Sequence, residues 1–228
     1  MEAIVLAGGF GTRLQQIVPD LPKPMAPIGE RPFLEILMTL LSRKGVQRVV
    51  LSLGYKADKV VSYFGGKFAG MELVYEIEKT PLGTGGALRR AMNRCKTDHV
   101  FIFNGDTYLD LDVQKVEQQW HQNRSPIIVA REVPDTARYG RLDVSGDYVA
   151  GFAEKGMAGP GLINAGCYVF PCDILNGFSM DVPFSLENDF LMKAVTRQQF
   201  EIYVTNGHFI DIGVPEDYTN AQIELAQI

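Results

Sequence analysis

The stretch Ala3-Ile4-Val5-Leu6-Ala7-Gly8-Gly9-Phe10-Gly11-Thr12-Arg13-Leu14 begins as a short apolar run and then breaks into three glycines. An apolar run of this length that ends in glycines predicts a buried strand followed by a tight turn. Glycine has no Cβ, so the backbone N–H groups of such a turn can close around a phosphate group. We therefore interpret the stretch as the first strand of an α/β fold and as a candidate phosphate-binding turn.

Two cationic residues accompany this turn. Arg13 follows it directly, and Lys23 lies ten residues further along, between Pro22 and Pro24. A guanidinium and an ammonium group are suitable partners for a polyphosphate. The dinucleotide-binding fingerprint needs a glycine where Leu14 stands, and the P-loop pattern is absent. A tight turn alone would explain the glycines but not both cations, so the pattern predicts a site for a nucleoside triphosphate.

The composition limits the classes of function. The chain has 228 residues, of which 46% are hydrophobic and 21% charged, and its formal net charge is −5. That length allows one large domain, and the acidic balance argues against a nucleic-acid-binding surface. The longest apolar runs are much shorter than the roughly 20 residues that cross a bilayer. The beginning of the chain lacks the basic region of a signal peptide, so we expect no membrane association and a cytoplasmic protein.

The cysteines and histidines show no metal-binding spacing. The three cysteines, at positions 95, 167 and 172, form no CxxC pair, and we expect buried, reduced thiols. The three histidines, His99, His121 and His208, are scattered along the chain. For each of them we expect a structural or surface role.

The first 131 residues alternate between two kinds of segment. Short β-branched apolar runs predict strands at 2–7, 47–53, 71–76, 98–103 and 126–131. Segments with helical periodicity lie between them, at 33–41, 56–64, 84–94 and 112–121. This alternation predicts an α/β fold with a doubly wound, mostly parallel sheet.

The pattern changes in the second half of the chain. We expect a hairpin at 141–152, strands at 162–170, 200–204 and 208–211, helical segments near 172–177 and 185–195, and a last helix from Pro215. No linker rich in proline, glycine or serine separates the halves. We therefore predict a single domain over 1–228, with a nucleotide-binding lobe at about 1–131 and a smaller, mixed substrate lobe at about 132–228.

Two aspartates follow apolar strands. Asp106 comes after the strand at 98–103 through Asn104-Gly105, and Asp211 closes the strand at 208–211. Ligands of open α/β sheets bind at the carboxyl ends of strands, where two such carboxylates could converge on one Mg²⁺ ion. A lone aspartate after a strand is more often a turn or cap residue, so both interpretations stay open. We expect Asp110 and Asp112 at the cap of the next helix.

The motifs together resemble those of a known family. The stretch 6–14, followed by Pro22-Lys23-Pro24, is similar to the signature of the sugar-1-phosphate nucleotidyltransferases. Four later segments agree with that family in order and spacing: Pro81-Leu82-Gly83-Thr84-Gly85-Gly86, Asn104-Gly105-Asp106, Glu154-Lys155 with Asn164-Ala165-Gly166, and Asp211 to Tyr218. The resemblance covers nearly the whole chain and implies a Rossmann-like nucleotidyltransferase fold with a smaller mixed substrate lobe.

The resemblance also implies site residues. The nucleotide-binding set is Leu6, Ala7, Gly8, Gly9, Gly11, Thr12, Arg13, Lys23, Glu78, Pro81, Gly83, Thr84, Gly85, Asn104 and Gly105. The sugar-phosphate-binding set is Tyr139, Gly140, Glu154, Lys155 and Asn164, and the metal ligands for Mg²⁺ are Asp106 and Asp211. The residues expected to act in catalysis are Arg13, Lys23, Asp106, Lys155 and Asp211. Without the resemblance, Glu154-Lys155 would be an exposed ion pair, and Glu78 either a guanine acceptor or a solvated carboxylate.

Within the family, segments 22–28, 184–191 and 209–213 are most similar to guanylyltransferases. This implies GTP and heptose 1-phosphate as substrates, in a pathway to surface polysaccharide, and it allows a homodimer. The alternatives within the class are mannose 1-phosphate as the sugar substrate, or a uridylyl- or thymidylyltransferase. Outside it, the alternatives are a nucleotide-sugar-sensing regulatory subunit and a glycosyltransferase using Asp110-Leu111-Asp112 as a D-x-D metal motif.

Overall fold

The computed structural model describes residues 1–9, 11, 14, 18–153, 156 and 158–226. Four residues of the expected site, Thr12, Arg13, Glu154 and Lys155, lie outside these ranges. Among the described residues, no helix has both the length and the apolar character needed to span a membrane.

The strands of the described chain are β1 (Glu2–Ala7), β2 (Pro27–Ile28), β3 (Arg31–Pro32), β4 (Arg48–Leu53), β5 (Lys67–Phe68), β6 (Met71–Ile77), β7 (His99–Asn104), β8 (Thr107–Leu109), β9 (Ile127–Val133), β10 (Leu142–Ser145), β11 (Tyr148–Phe152), β12 (Gly161–Pro171), β13 (Glu201–Thr205) and β14 (Phe209–Asp211).

The helices are α1 (Phe33–Arg43), α2 (Ala57–Phe64), α3 (Gly83–Met92), α4 (Val113–Asn123), α5 (Met192–Ala194) and α6 (Pro215–Glu224). A 3₁₀ turn covers Lys23–Met25, and a π-helical segment, Leu186–Leu191, leads directly into α5.

Ten of these strands form one mixed sheet in the order β10-β11-β13-β9-β12-β7-β1-β4-β6-β5. The strands β7, β1, β4 and β6 are parallel, whereas β12 lies antiparallel between β7 and β9. From β1 the chain continues to β4 and β6 on one side and returns to β7 on the other. The strand order therefore reverses at β1 and β7, and their carboxyl ends form the crevice where such sheets bind ligands.

Helices cover both faces of this sheet. On one face, Leu34, Leu37 and Leu41 of α1 pack in a cluster with Val5 of β1. On the opposite face, Leu88 of α3 packs in another cluster with Ile4 and its neighbours. Because successive side chains of a strand point to opposite faces, a strand covered on both sides must be apolar throughout. This confirms the doubly wound α/β arrangement expected from the apolar runs.

The elements agree with expectation except in short segments. The helix expected near 172–177 is wrong, because the chain forms successive turns there: Ile174 N donates to Pro171 O at 3.1 Å and Phe178 N to Leu175 O at 3.0 Å. Six residues are too few to offset the cost of nucleating a helix. The strands β2, β3, β5 and β8 were not expected, and all have three residues or fewer. Both halves of the chain contribute to the ten-stranded sheet, and the division into two lobes stays a prediction.

Candidate active site

Lys23 and Asp106 meet at the carboxyl ends of β1 and β7. The Lys23 Nζ atom lies 2.5 Å from Asp106 Oδ2, and the Lys23 side chain is only 12% exposed. Gly11 lies close to the Cβ of Lys23, because a Cβ added at Gly11 would be only 2.6 Å from it. The φ of Gly11 is +59°. Only glycine combines that backbone conformation with so close an approach. The glycine turn therefore helps to position the lysine.

Asp211 is brought to the same place by a small antiparallel ladder. Strand β14 pairs with β8, so that Asp211 lies opposite Thr107, and Ile212 N donates to the Asp106 carbonyl at 2.9 Å. Burial raises the pKa of Asp211 to about 6, the Asp106 carboxylate adds to the rise, and the Lys23 ammonium opposes it. One ammonium and two carboxylates from distant parts of the chain thus share one region, as expected from the sequence.

The donors of this region fit a hard divalent cation. Asp106 and Asp211 offer carboxylate oxygens, the ligands that Mg²⁺ prefers, and they come from the ends of two different strands. Burial first, and the neighbouring Asp106 carboxylate second, raise the pKa of Asp211, and a bound cation would offset both effects by stabilising the charged form. These two side chains are therefore candidate metal ligands.

A cavity of about 510 Å³ opens beside Asp106. It lies at the switch point of the sheet, between the ends of β1, β4, β6 and β7 and the start of α3, and its size is typical of a small-molecule site. Eight of the expected nucleotide-binding residues line it: Leu6, Gly8, Gly9, Glu78, Pro81, Gly83, Thr84 and Asn104. Of the charged trio only Asp106 lines the cavity, and Lys23 and Asp211 lie next to Asp106.

Glu78 is held in the cavity wall by two loops. Its Oε2 accepts a hydrogen bond from Leu82 N at 2.8 Å, and a Cβ added to Gly8 would lie 2.5 Å from its Oε1. Burial raises the pKa of the Glu78 carboxyl group, while the Leu82 amide opposes the rise. Of the two interpretations of Glu78, the structure favours a positioned acceptor in the cavity over a solvated carboxylate.

Ser52 lines the same cavity and was not expected to have a role. Its side chain is completely buried in β4, and its Oγ has no hydrogen-bond partner among the residues that the structure describes. A buried, unpaired hydroxyl is costly unless a ligand uses it. No sequence signal marks it, because a serine within Val-Leu-Ser-Leu looks like part of a buried strand. Five other lining residues were also missed: Gly54, Tyr55, Lys79, Thr80 and Ala87.

The expectation for Gly85 needs correction. Its amide donates to Phe184 O at 3.0 Å instead of facing a ligand, and a Cβ at this position would lie 2.1 Å from the Phe184 ring. The hydroxyl of Thr84 donates to Glu187 Oε2 at 2.8 Å and accepts from Leu186 N at 2.9 Å. The glycines at the start of α3 therefore allow the segment before α5 to pack closely on this helix.

Ala7 and Gly105 lie behind the cavity wall rather than in it. Gly105 N donates to Leu6 O at 2.8 Å, and an added Cβ would be 2.9 Å from Ala7 Cβ. This close packing joins the end of β1 to the end of β7. Gly8 and Asp106, which follow these two residues in the chain, are thereby held together in the cavity wall.

The expected sugar side of the site is partly described. The Tyr139 ring packs edge-on against the ring of Phe209, which lies in β14 together with Asp211. Burial raises the pKa of Tyr139. Asn164 donates to Tyr168 Oη at 2.8 Å and accepts from Gly166 N at 3.1 Å, so both ends of its amide already have one partner. A Cβ added at Gly140 would have nothing within 4 Å. The sugar contacts of these three residues stay predictions.

The two aspartates of the D-x-D pattern have structural partners. Asp112 caps α4, accepting from Lys115 N at 3.2 Å, as expected. Asp110 is not a cap, because its carboxylate pairs with Lys44 at 2.6 Å. Neither carboxylate lines the cavity described above.

Comparison with known proteins agrees with this geometry. The chain is 39% identical, over 99% of its length and 98% of the relative's, to D-glycero-alpha-D-manno-heptose 1-phosphate guanylyltransferase of Aneurinibacillus thermoaerophilus. It is 41% identical to the protein of the same name from Campylobacter jejuni, over 96% of this chain and 97% of that one.

Crystal structures of HddC from Yersinia pseudotuberculosis, one of them complexed with GMP-PN, superpose with a TM-score of 0.88 at 40% identity, covering 98% of this chain and 99% of that one. The model of the nucleotidyl transferase family matches residues 2–228. With a match over nearly every residue and a nucleotide-sized cavity at the switch point of its sheet, the chain belongs to the nucleotidyl transferase family.

Proposed function

We propose that the protein is a guanylyltransferase that joins GTP and D-glycero-α-D-manno-heptose 1-phosphate to give GDP-heptose and pyrophosphate. The observation that carries this proposal is the convergence of Lys23, Asp106 and Asp211 beside the cavity. The choice of GTP and heptose is supported by the names of the two near-full-length relatives and by the GMP-PN complex of HddC.

The reaction needs alignment and charge neutralisation more than proton transfer. A phosphate oxygen of the sugar phosphate attacks the α-phosphorus in line, and pyrophosphate leaves on the opposite side. This nucleophile is already anionic, so we assign no general base. Lys23 would stabilise the charge that develops around the α-phosphate. The holding of the leaving phosphates by Arg13, and of the sugar phosphate by Lys155, stays a prediction from the sequence.

The carboxylates of Asp106 and Asp211 would hold the metal ion, which we propose is Mg²⁺. When bound there, Mg²⁺ would supply positive charge to the phosphate oxygens. The contact between Lys23 and Asp106 orients one of these carboxylates and holds the ammonium group beside it. The chain thereby provides both the cation and the oxygen donors that a triphosphate site needs.

The remaining parts of the proposal concern biology. We propose a cytoplasmic enzyme, because GTP is available in that compartment, and a product that serves the synthesis of surface polysaccharide. A homodimer is also kept as an expectation, which light scattering of the purified protein would test.

The proposal is tested by a matrix of four nucleoside triphosphates against heptose, mannose and glucose 1-phosphates, with pyrophosphate release as the readout. GTP with heptose 1-phosphate should give the highest kcat/KM. A higher value with mannose 1-phosphate, UTP or dTTP would replace it by the corresponding alternative. Absence of pyrophosphate with every pair, in a protein that still binds nucleotide, would indicate a regulatory subunit or a glycosyltransferase.

A further inference from the structure

Three potential metal ligands meet at the end of β7 that is opposite to Asp106. His99 Nε2 lies 3.1 Å from Glu117 Oε2, and His121 Nε2 lies 3.6 Å from Glu117 Oε1. The ligand atoms of all three side chains are within 4.8 Å of one another. The two histidines are 22 residues apart in the chain, and the packing of α4 against β7 brings them together.

The local structure presents the three groups to a common point. His99 is the first residue of β7 and is buried, whereas Glu117 and His121 are four residues apart on α4 and so share one face of that helix. The Trp120 ring stacks on the His99 ring, with centroids 4.9 Å apart and an angle of 20° between the planes. This stacking limits the rotation of the His99 ring and keeps its Nε2 directed at Glu117.

Asp98 completes the arrangement. Its Oδ1 lies 2.5 Å from His99 Nδ1 and can accept the proton of that nitrogen, which leaves the Nε2 lone pair for a ligand. A carboxylate behind a histidine is the usual support of a metal-binding imidazole, since it sets the tautomer and orients the ring. The second carboxylate oxygen of Asp98 pairs with Arg124 at 2.6 Å, so Asp98 is itself held in place.

We propose that His99 Nε2, a Glu117 carboxylate oxygen and His121 Nε2 form a binding site for one Zn²⁺ ion. Zinc bonds of about 2.0–2.1 Å in tetrahedral geometry place neighbouring ligand atoms about 3.3 Å apart. His99 Nε2 lies 3.1 Å from one Glu117 oxygen and His121 Nε2 lies 3.6 Å from the other, so a small rotation of the carboxylate would bring one oxygen between the two nitrogens. Two imidazoles and one carboxylate select a borderline metal such as zinc over Mg²⁺. Water would take the fourth position on the exposed side, next to His121.

This site is separate from the catalytic region. Strand β7 runs from His99 to Asn104, which at about 3.3 Å per residue puts the two ends roughly 17 Å apart. Zinc there would join α4 to the start of β7. Its effect should therefore be on stability and not on the chemistry at Asp106.

The test is a zinc titration of the full-length protein after removal of any histidine tag and of bound metal by a chelator. A chromophoric chelator competes for Zn²⁺, and excess Mg²⁺ occupies the Asp106–Asp211 region. We expect one equivalent of Zn²⁺ to bind, an increase in Tm, and the visible absorption of four-coordinate cobalt when Co²⁺ replaces Zn²⁺.

Two variants make the test specific. His121→Ala should lower the zinc affinity at least tenfold and abolish the increase in Tm, and the fold should survive because the His121 side chain is half exposed. His208→Ala is the matched control and should bind zinc as the unaltered protein does, since His208 pairs with Glu224 elsewhere.

Three results would overturn the proposal. They are the absence of stoichiometric binding in the unaltered protein, an affinity in His121→Ala equal to that of the unaltered protein, and loss of the bound zinc in a variant with Asp106→Asn and Asp211→Asn. The last result would mean that zinc occupies the carboxylate pair instead. Because zinc binding is measured without substrates, these outcomes are independent of the proposed guanylyltransferase activity.

Discussion

Lys23 Nζ and Asp106 Oδ2 lie 2.5 Å apart although 83 residues separate them in the chain. The lysine begins a 3₁₀ turn after the glycine-rich loop, and the aspartate follows β7. Their contact, with Asp211 alongside, gathers charged groups from three distant parts of the chain into one region.

Lys23→Ala should reduce kcat by about 10²- to 10³-fold, because a preorganised cation that stabilises transition-state charge is lost. Pyrophosphate release measures the rate, and urea unfolding monitors the fold. Lys44→Ala is the control, since Lys44 also pairs with an aspartate, Asp110, but away from the cavity. Near-normal turnover of Lys23→Ala would remove the role proposed for this ammonium.

Ser52→Ala should raise KM for the nucleotide severalfold without lowering the free energy of unfolding. The Oγ atom is buried at the cavity wall and unpaired among the described residues, so its loss costs the protein itself nothing. Steady-state kinetics and urea unfolding test the two parts separately. An unchanged KM would show that this hydroxyl does not contact the nucleotide.

Glu78→Gln should narrow the preference for GTP over UTP by about tenfold or more, since a carboxylate can accept from both N1–H and N2–H₂ of guanine and an amide cannot. The amide can still accept the hydrogen bond from Leu82 N, so the wall of the cavity should persist. The measurement is the ratio of kcat/KM for the two nucleotides. An unaltered ratio would assign base selection to other residues.

Gly83→Ala should destabilise the protein by about 1–3 kcal/mol, because alanine is strained at positive φ. The φ of Gly83 is +68°, and an added Cβ would lie 2.5 Å from the Phe184 carbonyl oxygen. Gly66→Ala is the matched control, as nothing lies within 4 Å of a Cβ there. Urea unfolding compares the two variants, and equal stabilities would contradict the packing described for α3.

Glu2→Gln should cost about 1–3 kcal/mol of unfolding free energy at neutral pH, because a buried carboxylate loses charge-assisted hydrogen bonds. Burial alone would raise the pKa of Glu2, yet hydrogen bonds from Thr97, Lys96 N and Arg48 lower it below its ordinary value of 4.5. A lowered pKa gives stability that is complete above 4.5 and is lost as the pH falls through the folded-state pKa.

The difference between the unaltered protein and Glu2→Gln should therefore shrink below pH 4.5. Urea unfolding over a pH series measures it. A difference that stays constant down to the acid transition would contradict the assignment of this stability to the Glu2 carboxylate.

Much of the fold could be predicted because local pattern and final environment agree. The runs at β1, β4 and β7 are apolar on both faces, and helices cover both faces of the sheet. The failures lie in short segments such as 172–177, where a few turn hydrogen bonds decide the conformation and no periodicity can develop. The strand β8 was not predicted for the same reason, although its pairing with β14 brings Asp211 close to Asp106.

The residues of the candidate site that belong to sequence motifs were predicted, and the residues outside motifs were missed. Lys23, Asp106 and Asp211 each follow a glycine turn or a strand end, and the resemblance to a family joined them. Ser52 lies within an apolar strand, and no motif or turn in the sequence distinguishes it. Gly85 was interpreted as a ligand contact because a glycine motif cannot show whether its free space is used by a ligand or, as here, by Phe184.

The sequence by itself determined the order of the longer strands and helices, the glycine motif and the identity of the charged groups, because these depend on residues close together in the chain. Only the tertiary structure decided which distant groups meet: Lys23 with Asp106 and Asp211 at one end of the sheet, and His99 with Glu117 and His121 at the other. The physical reason is that strand pairing and helix packing set distances across the sheet, and no local pattern contains them.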